Sequence, residues 1–306
     1  MHRSFRTFRA AAVLGICTAA MLAIKPVTAR GDEQAAPFVN VGVANSFFRD
    51  VSPPLVSAIV QPFSLMLEAQ TGIPGKLIPG GDALSVAQEL AENKLQLAVF
   101  YGIEFAWAKA KYPELRPLMI AVNQQRHLRA YVVVRSDSQC QCFAKLKGAS
   151  VALPKGTREH CRVFLERRCC QECGNDPGRA FSKITAPANF EIALDEVVDG
   201  GVQAAIIDSV ALECFKRRKP GRFARLKVAV ESEVFPAGVL AYRPGYLSDD
   251  TLRRFREGMI NADKSPIGRQ LIMLWKLTGF EDVPEDYNGI VDNIVKCYPP
   301  PSPPKK

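Results

Sequence analysis

The sequence predicts an α/β protein of two similar units, each a mostly parallel sheet flanked by helices. Three observations carry this prediction. Short apolar runs of strand length alternate with segments of one-faced helical periodicity. That alternation occurs twice, first over residues 39–122 and again over 151–219. The chain has 306 residues, 47% hydrophobic and 23% charged, which suits two ordinary domains and excludes a disordered polymer, a collagen or a polytopic membrane protein.

In the first unit, Val39–Ala44 is an apolar strand running into Asn45-Ser46. Leu55–Thr71 reads as a helix, with Pro62 at its start or at a kink and Gly72 as its C-cap. Lys76–Pro79 is a second strand. Asp82 is placed to cap a helix whose apolar residues Ala83, Val86, Ala87, Leu90 and Ala91 share one face. Leu95–Phe100 is a buried strand, Ile103–Lys111 a helix and Leu118–Val122 a strand. The β-branched run Tyr131–Val134 then leaves the unit.

In the second unit, Val151–Leu153 is a strand, and Lys155-Gly156-Thr157 turns into a helix that ends near Cys170. Phe190, Ala193, Leu194, Val197 and Val198 form another one-faced helix, closed by Gly200-Gly201. Gln203–Ile207 is a strand, and Asp208-Ser209 opens a helix to Lys219. Phe235–Tyr242 is a strand, and helical segments follow near 249–262, 267–277 and 284–295. The tail from Pro299 favours polyproline II and an exposed position. In such units ligands bind beyond the carboxyl ends of the strands. That rule nominates four loops: Asn45–Phe48, Tyr101–Ile103, Gly156–Arg158 and Asp208–Ser209.

The 40 basic residues exceed the 31 acidic ones by +9. The first 29 residues hold four bases (Arg3, Arg6, Arg9 and Lys25) and no acid, then a 15-residue apolar run from Ala10 to Ile24, then Val27-Thr28-Ala29. This is the pattern of a secretory signal, and the run falls short of the ~20 residues that cross a bilayer. The expected product is an exported, periplasmic protein beginning near Arg30, with 36 bases against 31 acids, a charge of +5. That surplus fits an anionic small molecule better than nucleic acid. The run Lys216-Arg217-Arg218-Lys219 reads as a solvated helix end.

Of nine cysteines, Cys17 lies in the signal, and six of the others fall between Cys140 and Cys173. Export favours disulfides among them, with the pairing left open; a zinc site or free thiols are the alternatives. Catalysis finds little support. His160 adjoins Cys161, but helical neighbours point about 100° apart, so the two are not a dyad. The chain has no Gly-x-Ser-x-Gly elbow, no phosphate-binding Walker loop and no His-Glu-x-x-His.

Five stretches together resemble the phosphate/phosphonate-type solute-binding proteins of ABC importers: Pro53–Gly72, Leu90–Leu118, Tyr131–Pro154, Phe235–Met259 and Trp275–Ile290. The resemblance implies a type II periplasmic binding fold, a two-lobed clamp. Lobe one would be residues 38–134 plus 231–297, lobe two 135–230, and 298–306 a Pro-rich tail. The chain would cross between lobes at Tyr131–Val134 and Glu233–Val239, and the hinge would close on a ligand. The family's Gly-Pro after the fourth strand is replaced here by Tyr101-Gly102. Its Ser/Thr-rich helix start is replaced by Gly156-Thr157-Arg158-Glu159, which keeps one hydroxyl.

The expected ligand-binding residues are Asn45, Ser46, Phe47, Tyr101, Gly102, Thr157, Arg158 and Asp208. Thr157 would cap its helix and share an anion's charge with the adjacent N–H groups. Arg158 would add a bidentate contact, and Asn45 and Ser46 would reach from the other lobe. Tyr101 and Phe47 or Phe48 would wall the pocket. Asp208 would cap the next helix or bind an ammonium group, while Gln124 and Phe235 lie near the crossings. The resulting expectation is a monomeric binding protein without cofactor or metal. It would deliver a small anion, phosphonate- or phosphate-like, to an inner-membrane ABC permease. A sensor module of the same shape, or a redox or metal protein centred on the cysteines, is the alternative.

Overall fold

A computed structural model describes residues 38–301. The expected signal and Cys17, and residues 302–306 of the tail, lie outside them. The strands are β1 (Val39–Val43), β2 (Gly75–Pro79), β3 (Leu97–Phe100), β4 (Arg116–Val122), β5 (His127–Leu128), β6 (Ala130–Arg135), β7 (Ser150–Ala152), β8 (Lys183–Thr185), β9 (Ala204–Asp208), β10 (Leu226–Glu231), β11 (Phe235–Pro236), β12 (Gly238–Tyr242) and β13 (Gly279–Glu281). They form a six-stranded sheet in the order β13-β4-β12-β3-β1-β2, a five-stranded sheet in the order β10-β6-β9-β7-β8, and the pair β11-β5.

Both large sheets are mixed. In the first, β1 runs parallel to β2 and β3, while β12 is inserted antiparallel between β3 and β4, and β13 lies antiparallel to β4. In the second, β7 runs parallel to β8 and β9, while β6 is antiparallel to both β9 and β10. Most strands of each sheet thus point one way, and the inserted strands β12 and β6 are those that arrive from the other half of the chain.

Strand periodicity sorts side chains onto two faces. On β3, Leu97 faces the layer that holds Phe63, Leu67, Phe255 and Leu271, whereas Ala98 and Phe100 face the layer that holds Leu90, Phe105, Tyr287 and Val291. The helices Pro53–Thr71, Asp249–Ile260 and Pro266–Leu274 supply the first layer; Ala83–Ala91, Gly102–Lys111 and Tyr287–Cys297 supply the second. On the second sheet Val133, Ala205 and Ile207 meet the helices Phe190–Asp199 and Ser209–Arg218, and Val132, Val134 and Ile206 face Phe143 and Phe164. The core on this last face continues without a break into the core beneath the first sheet.

Local signals explain the helix limits. Asp82 accepts from the Ser85 N–H at 2.8 Å, and Asn189 from the Ile192 N–H at 3.0 Å. Gly72 closes Pro53–Thr71 at φ 67°, and Gly200 closes Phe190–Asp199 at φ 81°. Pro62 lies inside the helix Pro53–Thr71 and does not end it.

Three expectations are corrected. Tyr131–Val134 is not a crossing: it lies in β6, paired with β9 and β10, and its three valines are fully buried at the centre of the second sheet. The chain passes between the sheets at Asn123–Arg129, where β5 pairs with β11. Tyr298, placed with the tail, belongs instead to the core, whereas Pro299–Pro301 are exposed as expected. Tyr298 is 2% exposed, its ring lies 4.8 Å from that of Phe235 and tilted by 44°, and its carbonyl accepts the Trp107 indole N–H at 2.8 Å. The third concerns the eight cysteines of the described residues, all of which are unbridged. Cys140, Cys161, Cys169 and Cys173 are buried, and burial pushes each thiol up, Cys169 to about 12. Four of the six clustered cysteines are packed inside, Cys161 and Cys169 being fully enclosed, while Cys142 and Cys170 are exposed; Cys169–Cys173 forms a widened last turn closed by Gly174 at φ 67°. No helix of the described residues is long and apolar enough to cross a membrane.

Candidate functional site

The four loops nominated from strand ends come together. After β1 the chain makes a short 3-10 turn, Asn45–Phe48. The Phe47 ring stacks on Tyr101, which follows β3, with centroids 4.0 Å apart and planes 1° from parallel. Phe48 turns inward and packs beside Trp275. Just past this turn, the Asp50 carboxylate accepts the Gly156 N–H at 2.7 Å, joining the loop after β1 to the loop after β7. Arg158 then lies 3.7 Å from Asp208 at the end of β9, which completes the circuit.

Several expected roles are corrected. Thr157 does not cap its helix. Arg158 is the capping residue of Glu159–Arg168, and the Thr157 hydroxyl donates to the Pro154 carbonyl at 2.5 Å within its own turn. Asp208, by contrast, takes the capping role expected as one of its two alternatives: it caps Ser209–Arg218, accepting the Ala211 N–H at 2.6 Å, and its other oxygen faces Arg158. Gly102 is a packing residue: a Cβ there would stand 2.1 Å from the Pro236 carbonyl oxygen and 2.7 Å from that of Ala237. Phe235 is fully buried between His160 and Tyr298. Asn45 is exposed, with its backbone N–H on the Gly81 carbonyl. Gln124 holds φ at 62°; its N–H donates to Thr278 and its side chain accepts from Arg217 at 3.0 Å.

Five charged residues of the site escape the sequence reading. Arg49 places one nitrogen 2.8 and 2.7 Å from the two carboxylate oxygens of Glu159. Arg162, one turn beyond Glu159, lies 3.4 Å from Asp50. Glu104, only 3% exposed, accepts the Tyr101 N–H at 3.1 Å and so holds the first turn of Gly102–Lys111. Burial raises the Glu104 carboxyl to about 7, against the opposing pull of the Tyr101 N–H and of Ser46; Glu159 adds to the rise and Arg49 reduces it. The Ser46 hydroxyl stands beside that carboxyl, although no protein group meets it at hydrogen-bond geometry. Burial likewise pulls the His160 imidazole down to about 4, with Asp208 opposing it. Only Glu104 carried a sequence signal, its place three residues after Tyr101.

The site therefore holds three arginines, Arg49, Arg158 and Arg162, each facing one carboxylate: Glu159, Asp208 and Asp50. Such guanidinium groups recognise oxyanions through paired N–H donors. A separate cavity of about 260 Å³, lined by Trp107, Val163, Glu166, Arg167 and Tyr298–Pro301, includes none of the strand-end residues.

A family model described as the periplasmic substrate-binding protein of phosphonate ABC transporters matches residues 46–287. A comparison with curated protein sequences gives no match. Among solved structures, the chain is similar to the binding component of an ABC phosphonate transporter from Pseudomonas aeruginosa, with 17% identity, 82% of this chain and 83% of that one covered, and a TM-score of 0.51. It is also similar to PhnD1 of Prochlorococcus marinus in complex with methylphosphonate, with 16% identity, coverage of 85% and 96%, and a TM-score of 0.53. A Xanthomonas citri protein bound to chloride shares 14% identity over 85% and 97% of the two chains, with a TM-score of 0.56. At these identities the structures speak for the fold, and the family match speaks for the lineage. The chain belongs to the phosphonate-type periplasmic substrate-binding proteins of ABC transporters.

Proposed function

We propose that the protein captures a small oxyanion, phosphonate- or phosphate-like, between two lobes and presents the closed form to an inner-membrane ABC permease. Lobe one would be built on the six-stranded sheet and lobe two on the five-stranded sheet, with β5 and β11 as the hinge. Export by an N-terminal signal and a monomeric state complete the proposal. The observation that carries it is the meeting of strand-end loops from both sheets around Arg49, Arg158 and Arg162. Each charge-assisted hydrogen bond contributes about 1.5–3 kcal/mol. A few of them, less ordering costs, reach the roughly −8 kcal/mol of a micromolar complex.

Titration calorimetry with methylphosphonate, inorganic phosphate, sulfate and acetate tests this reading. Binding to at least one of the oxyanions is expected. Arg158→Ala is expected to weaken it about tenfold or more, as loss of one charged contact implies. Heat from none of the four removes the oxyanion reading. An ATPase and a permease encoded beside this chain would favour import over a sensor role.

A further inference from the structure

The loop after β1 carries a base and an acid in succession, Arg49-Asp50. The helix Glu159–Arg168 carries an acid and a base three residues apart, Glu159 and Arg162, on one face. The two pairs meet in complementary order. Arg49 engages Glu159, and Asp50 engages both Arg162 and the Gly156 N–H. The first partner of each contact rides on the six-stranded sheet and the second on the five-stranded sheet.

The position of Asp50 has a chemical meaning. The Gly156 N–H precedes a helix and donates to no backbone carbonyl; with Arg162 it offers a donor and a positive charge to an oxygen anion. The oxygen that takes both is Oδ2 of the chain's own Asp50. A carboxylate here fills the role expected of a ligand oxyanion. All the side chains involved keep some solvent access: Arg49 is 45% exposed, Glu159 13%, Arg162 18% and Asp50 33%. Each contact has one solvent-facing partner, Arg49 or Asp50, so water screens the attraction and competes for it.

We propose that Asp50 is a built-in competitor: its carboxylate occupies the oxyanion position at Gly156 and Arg162, and together with the Arg49–Glu159 pair it holds the ligand-free clamp shut. An incoming oxyanion must expel it. This rests on the reading of the cleft as an oxyanion site. The apparent affinity is then the intrinsic one reduced by the fraction of molecules with Asp50 displaced. A clasp formed in about nine molecules of ten hides about tenfold of affinity.

Two measurements on the full mature chain test the proposal. Methylphosphonate titrated into Asp50→Asn, and into Asp50→Ala to remove the acceptor altogether, is expected to bind about tenfold tighter than to the wild type. Unchanged or weaker binding by both variants overturns the competitor. Small-angle scattering without ligand is expected to give the double variant Arg49→Gln, Asp50→Asn a larger radius of gyration than the wild type. Superimposable curves overturn the clasp. Asp50 lies on an exposed loop, so neither replacement removes core packing. Should methylphosphonate bind to none of the proteins, the titration is run with whichever of phosphate, sulfate or acetate binds the wild type; if none of the four binds, the ligand class proposed above fails, and the scattering comparison still decides for or against the clasp.

Discussion

Replacing Gly102 by alanine is expected to destabilise the protein by about 3 kcal/mol or more, the upper end of overpacking costs. The added Cβ would stand 2.1 Å from the Pro236 carbonyl oxygen, 2.6 Å from its carbon and 2.7 Å from the Ala237 oxygen. All three atoms are backbone, so no side-chain rotation relieves the contact. Relief requires moving either the Gly102–Lys111 helix, anchored by Phe105 in the core, or the β11 strand, paired with β5. Denaturant unfolding followed by circular dichroism measures the loss. A variant within 1 kcal/mol of the wild type would show that the crossing tolerates a shift and that the close approach is not needed.

Glu104→Gln is expected to stabilise the protein at pH 8 and to leave it unchanged near pH 4. The Glu104 carboxyl is raised by burial from 4.5 to about 7. A folded-state value above the unfolded one means that the native protein holds its proton more tightly. The protonated carboxyl costs nothing below pH ~4.5, and the penalty of ionising it in place grows through pH 7, reaching about 3 kcal/mol. Glutamine keeps the oxygen that accepts the Tyr101 N–H but cannot ionise. The midpoint of thermal unfolding should therefore rise by about 5–10 °C at pH 8, with the difference closing on acidification. His160, whose depressed value costs stability as pH falls below its unfolded range, acts equally in both proteins and cancels from the comparison. Equal midpoints at pH 8 would mean that Glu104 is not ionised at a cost there.

The regular elements were readable because their signals are local. Asp82, Gly72 and Gly200 mark helix ends through bonds or dihedrals that span a few residues. The rule that ligands lie beyond strand ends nominates four loops, and the structure shows that these loops contact one another. What escaped was non-local. The two- and three-residue strands β5, β8 and β13 are too short to show a period, and the half-exposed β10 gave no apolar run. β6 was readable as a strand but not as the centre of a sheet, since its partners lie some 70–100 residues away. The charged residues of the site show the same limit. Arg49 and Glu159 are 110 positions apart, and nothing in either neighbourhood announces the other. Thr157 failed differently: its hydroxyl donates to the Pro154 carbonyl within its own turn, and the helix it was expected to cap starts one residue later, from Arg158.

The apolar layer that runs unbroken beneath both sheets gives the two halves one fate. A domain with a sealed interior of its own can be excised, or inherited by another gene, as a unit. Here Ala130, Val132 and Phe235 share one interior with Phe105 and Tyr287. Either half alone would turn that greasy flank to water. Selection can vary such a molecule freely around its rim, but it has to hand the whole down together.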